Sequence, residues 1–310
     1  MKHLKTYQLF ESRTGLTKRQ EEFLDRYTRG TWSYNPATGL VDVKGDFNCS
    51  GKGTIKTFRG VKFGRVSGNF DCRLNKLISL EGGPQKVGGG FECCENKLTS
   101  LEGGPQEVGK YFNCSYNQLT SLEGAPQKVG GDFNCEGNKL TSLEGAPQKV
   151  GKSFNCSENN LTSLEGAPQE VGGHFSCWGN KLTSLKGAPQ EVGWSFYCPR
   201  NELTSLEGAP QEVGDDFECD AFKLEEGQWN IKGWLKVLKE GSPEAQKLIA
   251  TLLTPEVLNK EIQQDPAGMI MKLKEVWNDE VFKEIRSKLV WPKGHEEEAD
   301  LVGDLDDVGF

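Results

Sequence analysis

Ten cysteines, three histidines and a surplus of carboxylates are the residues of this 310-residue chain that could do chemistry. Thiols at suitable spacing bind zinc, form disulfides or act as nucleophiles. Nine of the ten occupy one recurring triplet, Phe-x-Cys, at Cys49, Cys72, Cys93, Cys114, Cys135, Cys156, Cys177, Cys198 and Cys219; the tenth, Cys94, follows Cys93 directly. From Phe70 to Phe217 the triplet returns every 21 residues, and Phe47-Asn48-Cys49 is a degenerate copy 23 residues earlier. That interval is no zinc-ligand pattern, and His3, His174 and His295 do not join it. The cysteines read as reduced packing residues, because strands stacked about 4.8 Å apart bring thiols near one another without imposing disulfide dihedrals. No metal, cofactor or catalytic nucleophile is implied. Phosphate loops, zinc-hydrolase helices and Ser-His-Asp constellations are absent from the chain.

A repeat must position these residues. One unit, Val108 to Lys128, reads VGKYFNCSYNQLTSLEGAPQK, and its neighbours follow V-G-x-x-F-x-C-x-x-N-x-L-T-S-L-E-G-A-P-Q-x. Val108, Phe112, Cys114, Asn117, Leu119, Leu122, Gly124 and Pro126 represent the near-constant positions, which a stacked coil buries or bends. Strand alternation sends Phe112 and Cys114 inward and Tyr111, Asn113 and Ser115 outward, while Val108, Leu119 and Leu122 close the core. Asn75, Asn96, Asn117, Asn138, Asn159, Asn180 and Asn201 form an expected buried ladder, each amide serving backbone groups of its own and the next coil. Lys52 and Phe222 take the corresponding positions of the first and last coils and mark the ends.

The spacing F-x-C-x-x-N-x-L-x-x-L resembles the L-x-L-x-x-N-x-L core of leucine-rich repeats, with Phe and Cys in place of the strand leucines, over residues 41–224. The resemblance implies one short parallel strand per repeat and a curved solenoid with a concave sheet. The G-x-P-x-x-V segment is similar to the short bacterial repeat type, and LTSLEGAPQ resembles repeat proteins of bacteriophage and bacterial genomes. Some bacterial members carry a ubiquitin-ligase domain with a catalytic cysteine behind the repeats. Here no cysteine follows Cys219 and the remaining segment is short, so no enzyme is expected.

The flanks read as caps. In residues 1–40, Thr17-Lys18-Arg19-Gln20 opens an amphipathic helix through Phe23, Leu24 and Tyr27, and a turn at Asn35 to Gly39 joins Trp32-Ser33-Tyr34 to Leu40-Val41-Asp42-Val43 in a hairpin. Residues 225–291 are expected to be helical, with starts at Ser242-Pro243, Thr254-Pro255 and Asp265-Pro266, and form either a cap or a small interaction domain. Residues 292–310 are an acidic tail of disordered composition. Its tip, Asp304 to Phe310, resembles the partner-recruiting ends of single-stranded-DNA-binding proteins, and can be read as solvating or as docking. The expected fold is an α+β solenoid: a curved leucine-rich-repeat parallel β-sheet with a helix-hairpin N-terminal cap and an α-helical C-terminal region.

A net charge of −8 argues against a protein that lives on phosphate backbones. Glu81, Glu102, Glu123, Glu144, Glu165 and Glu207 recur at one position, interrupted by Lys186, and read as a solvated edge rather than a cation strip. No apolar run resembles a signal or is long enough to span a bilayer, which with the free thiols points to a reducing cytoplasm, or to the infected host cell or virion for a phage protein. Function is expected where the copies differ, on the outward strand positions. His174, Trp178, Trp194, Tyr197 and Arg200 fall in two successive coils and form a candidate hot spot; Tyr111 and Tyr116 form a smaller group, and Asp215, Asp216, Glu218 and Asp220 border the far end. The expected activity is non-enzymatic recognition of a protein partner on the concave face. The alternative is a structural, virion or spacer protein whose C-terminal region and tail make the contacts.

Overall fold

Strands of two residues suffice in this chain because each is flanked, one turn away, by a nearly identical strand. The computed structural model describes residues 15–264, 268–269, 272–273 and 289–290. Within them the repeats wind into a parallel β-solenoid. Phenylalanine strands at Phe47, Phe70, Phe91, Phe112, Phe133, Phe154, Phe175, Phe196 and Phe217, nine in all and joined by eight turns, pair Phe to Phe in unbroken parallel register.

Each full turn also contains a second strand, which the one-strand expectation omitted. It is the Lys/Glu-Val pair just before each phenylalanine strand, as in Glu107–Val108, and it too stacks in parallel register on its neighbours. The glycine after each valine makes the close approach possible: a Cβ on Gly109, Gly130, Gly151, Gly172 or Gly193 would run into the carbonyl oxygen of the corresponding glycine one turn earlier. At the opposite corner, Gly124 takes φ +84°, a left-handed turn that suits glycine.

The core is built from columns of like residues. From Phe70 to Phe217 the rings are stacked with centroids 5.1 to 5.5 Å apart, and all of them are buried. Both ends of this column are closed by aromatic rings. Helix α1 (Lys18–Tyr27), held by the expected capping box between Thr17 and Gln20, sets Phe23 and Tyr27 against Phe47 at 5.6 and 6.2 Å. Strands β1 (Thr28–Asn35) and β2 (Leu40–Asn48) form the expected hairpin, and β2 runs on through the first coil. Because β1 pairs along β2 from Asn35↔Leu40 to Thr28↔Phe47, it covers the edge of both stacks.

At the far end Lys223–Leu224 folds back antiparallel on Phe217–Glu218. Trp229 then stacks on Phe217 at 3.9 Å and donates its indole N–H to the Pro210 carbonyl at 3.0 Å. Helices α2 (Ile231–Glu240), α3 (Pro243–Ala250) and α4 (Pro255–Ile262) follow. Ser242 caps α3 and Thr254 accepts from the Val257 N–H, as the Ser-Pro and Thr-Pro pairs anticipated. Helix α2 starts without proline, on Asn230, whose side chain accepts from the Lys232 and Gly233 N–H groups. The Thr251 hydroxyl accepts from the Leu206 N–H and ties the helices to the last coil. The Asp265-Pro266 start and the 292–310 tail lie outside the described residues.

The asparagine column runs as expected, with one correction of direction. Asn138 donates to the Cys135 and Glu136 carbonyls of its own coil and to the Cys114 carbonyl of the preceding one, and its Oδ1 accepts the Leu119 N–H at 3.0 Å. The partners lie one coil back rather than one coil on. Asn75, Asn96, Asn117, Asn159, Asn180 and Asn201 repeat the pattern. We expect Asn138→Ala to leave this buried backbone unpaired and to cost roughly 3 kcal/mol in denaturant unfolding. An exposed control, Ser121→Ala, should cost far less.

All ten thiols are free and buried. Several donate to a carbonyl of the next coil, as Cys114 Sγ does to Asn134 O at 3.4 Å. Burial raises the pKa of every one above the ordinary thiol value, to about 12 for Cys49 and Cys94. A raised folded-state pKa contributes stability that is complete below the unfolded thiol value and is lost as pH rises through it. Unfolding stability should therefore fall steeply above pH about 8.5, by up to about 1.4 kcal/mol per thiol per pH unit. A thiol reagent at pH 7 should label no cysteine in the native chain and all ten after denaturation.

Candidate binding face

The outward positions of the phenylalanine strands are not free, as the sequence suggested, but carry two further columns of hydrogen bonds. At five of the nine strands the residue just before Phe accepts the N–H of its counterpart one coil on. Asp46 accepts from Asn69 N–H at 2.7 Å, Asn69 from Gly90, Asp132 from Ser153, Ser153 from His174, and His174 Nδ1 from Ser195 at 3.3 Å. In five coils the residue between Phe and Cys closes a side-chain turn on the N–H two positions ahead: Asn48 on Ser50, Asp71 on Arg73, Asn113 on Ser115, Asn134 on Glu136, Asn155 on Ser157; Glu92 instead accepts from Cys94 Sγ and the Asn113 amide. Ser115 and Ser157, expected on the surface, are accordingly buried. The signal was present in the sequence as a run of Asp, Asn, Ser and His, short side chains that differ in name but share an acceptor.

This second column stops at Ser176. Its Oγ meets Ser157 Oγ at 2.8 Å, and on the next two strands the same position holds Tyr197 and Glu218, in register with Ser176 and with each other. The Tyr197 phenol makes no hydrogen bond to the described residues and is 38% exposed. Beside it, Trp194 is 52% exposed and packs edge-on against the His174 imidazole at 4.9 Å. His174, Ser176, Ser195, Phe196, Tyr197, Asp216 and Glu218 line a cavity of about 320 Å³.

On the other side of the strand Trp178 is half-buried under the Arg200 guanidinium, 4.9 Å from its ring centroid. The Arg200 backbone is left-handed, φ 54°, and its N–H donates to Asp220 Oδ1 at 2.8 Å. The five residues expected to cluster thus form one edge-on pair, His174 with Trp194, and one cation–π pair, Arg200 with Trp178, together with Tyr197. Tyr111 and Tyr116 do not join them. They lie three coils earlier, about 14 Å along the stack at about 4.8 Å per strand. The Tyr111 ring fills the space over Gly90, and the Tyr116 ring covers Gly137 while its hydroxyl donates to Glu136 at 3.1 Å.

Helices α2 to α4 close the end of the solenoid and leave Trp194 and Tyr197 exposed. Among the described residues no group of His, Cys, Asp or Glu is placed to hold a metal ion, and no helix is long and apolar enough to cross a membrane. Comparison with protein-family models, curated proteins and solved structures found no match. The fold and the face define a repeat solenoid with buried asparagine and cysteine ladders and a localised aromatic cluster.

The acceptor role of His174 is separable from its ring. His174→Ala should speed hydrogen exchange of the Ser195 amide and cost roughly 1 kcal/mol, the worth of one hydrogen bond. His174→Asn should restore protection, since Asn69 serves Gly90 in the same way.

Proposed function

We propose that the protein is a non-enzymatic recognition scaffold that binds a protein partner on the outward face of its phenylalanine strands, at the coils carrying His174 to Arg200. The observation that carries this reading is the exposure of Trp194 and Tyr197 at the point where the side-chain turns of the earlier coils give way. Tyrosine and tryptophan bury much area with few rotamers to lose, and arginine joins them as the usual hot-spot types. The lattice elsewhere is occupied by its own hydrogen bonds and offers few groups to a ligand. Membership of the leucine-rich repeats, of the short bacterial or bacteriophage type, is part of the same proposal and is supported by the F-x-C-x-x-N-x-L spacing and the asparagine column.

The test replaces Trp178, Trp194 and Tyr197 together with serine and compares affinity capture by the variant and the native protein from bacterial and phage-infected lysates. The expected outcome is loss of a captured protein with the circular dichroism spectrum and the alkaline stability profile retained. Undiminished capture would overturn the reading and favour a spacer whose termini make the contacts.

A further inference from the structure

We infer that the face proposed above as a protein-binding site selects a basic segment, seating an arginine side chain in the cleft between Tyr197 and Glu218. The cleft, about 320 Å³, lies at the lower end of the roughly 300–1,000 Å³ of ligand pockets and so fits a side chain better than a cofactor. Its wall is net acidic. Of the two carboxylates in its wall, Asp216 is paired with Lys223 Nζ at 2.7 Å, while the Glu218 carboxylate makes no ion pair or hydrogen bond to the described residues. Asp220 is spent on the N–H groups of Arg200 and Asn201, and Arg200 itself is held over Trp178. Lys223 stands opposite Glu218 in the antiparallel pair and its ammonium serves both carboxylates, so among the described residues the wall sets two carboxylates against one cation and keeps a net negative charge.

An arginine entering beside Tyr197 gains two interactions at once. Its guanidinium stacks on an aromatic ring, as Arg200 already does on Trp178, and its fork of N–H donors meets a carboxylate. A neutral apolar side chain in the same place would strip water from Glu218 without replacing its hydrogen bonds, and an acidic one would add repulsion. The cleft therefore discriminates by penalty as well as by attraction.

The probes are capped pentapeptides, acetyl-Gly-Leu-Arg-Leu-Gly-amide and its Gln and Glu counterparts, titrated calorimetrically into the full chain. The Arg peptide should bind saturably and more tightly than either counterpart, and should weaken severalfold as salt rises from about 0.05 to about 0.5 M. Glu218→Gln should weaken it about tenfold, the equivalent of about 1.4 kcal/mol. Absence of saturation, equal binding of the Gln or Glu peptide, or full binding by a folded Glu218→Gln variant would each overturn the inference. The peptide comparison on the native chain decides even if the variant fails to fold. Failure here is distinct from failure of the recognition reading, which falls only if the triple serine variant captures its partner undiminished.

Discussion

In this molecule a residue packs chiefly against copies of itself. Every buried position recurs one turn away at strand spacing, so a side chain is admissible only if it can stack on its own kind. Phenylalanine passes by offset ring stacking at 5.1 to 5.5 Å. A neutral thiol passes because it is small and can donate to the next coil, and burial keeps it neutral by raising its pKa. Asparagine passes because an amide carries both donors and an acceptor, enough to serve its own coil and the one before it. A whole column of buried carboxylates could not, since each would face another across the same distance; the buried Asp71, beside Glu92, relies on Arg73 and Asn48. The composition of the core follows from this single geometric demand.

The same demand explains what the sequence revealed. Columns whose residue type is constant, Phe, Cys, Asn and the two leucines, announce themselves as core, and Thr17 with Gln20 and the Ser242-Pro243 pair announce their helices by local chemistry. The second strand was not legible, because a two-residue Glu-Val segment followed by glycine carries no periodicity of its own; only the close stacking of Gly109 on Gly88 reveals why the chain runs straight there. The outward columns were misread for a subtler reason. Asp46, Asn69, Asp132, Ser153 and His174 vary in name and size, and variation was taken as freedom, yet the quantity held constant is an acceptor within reach of the next amide.

That correction changes what counts as a departure. His174 and Ser153 obey the lattice; Tyr197 does not, since a phenol reaching outward cannot close the turn that Asn113 and Asn155 close on the N–H two residues ahead. Trp194 extends past the coil surface and finds only the His174 ring. Tyr111, equally large, instead lies down over Gly90 and behaves as cover. Size alone therefore does not mark a binding residue on this scaffold. The mark is a large side chain that the neighbouring coils neither use nor bury.

Arg200 adds an argument from backbone strain. The position before each ladder asparagine is left-handed: Gly137 and Gly179 take φ 65 and 67°, while Leu74, Glu95, Tyr116, Glu158 and Arg200 take 52 to 57°. For a residue with a Cβ that conformation costs on the order of 1–2 kcal/mol, which glycine avoids. Gly179, one coil before Arg200, demonstrates that the backbone there is satisfied without a side chain. An arginine at the next turn is thus not required by the turn; what it adds is its guanidinium over Trp178, since the backbone N–H on Asp220 would be there with glycine too. The strain is local and tolerated by a registered lattice, and the arginine that carries it lies over Trp178.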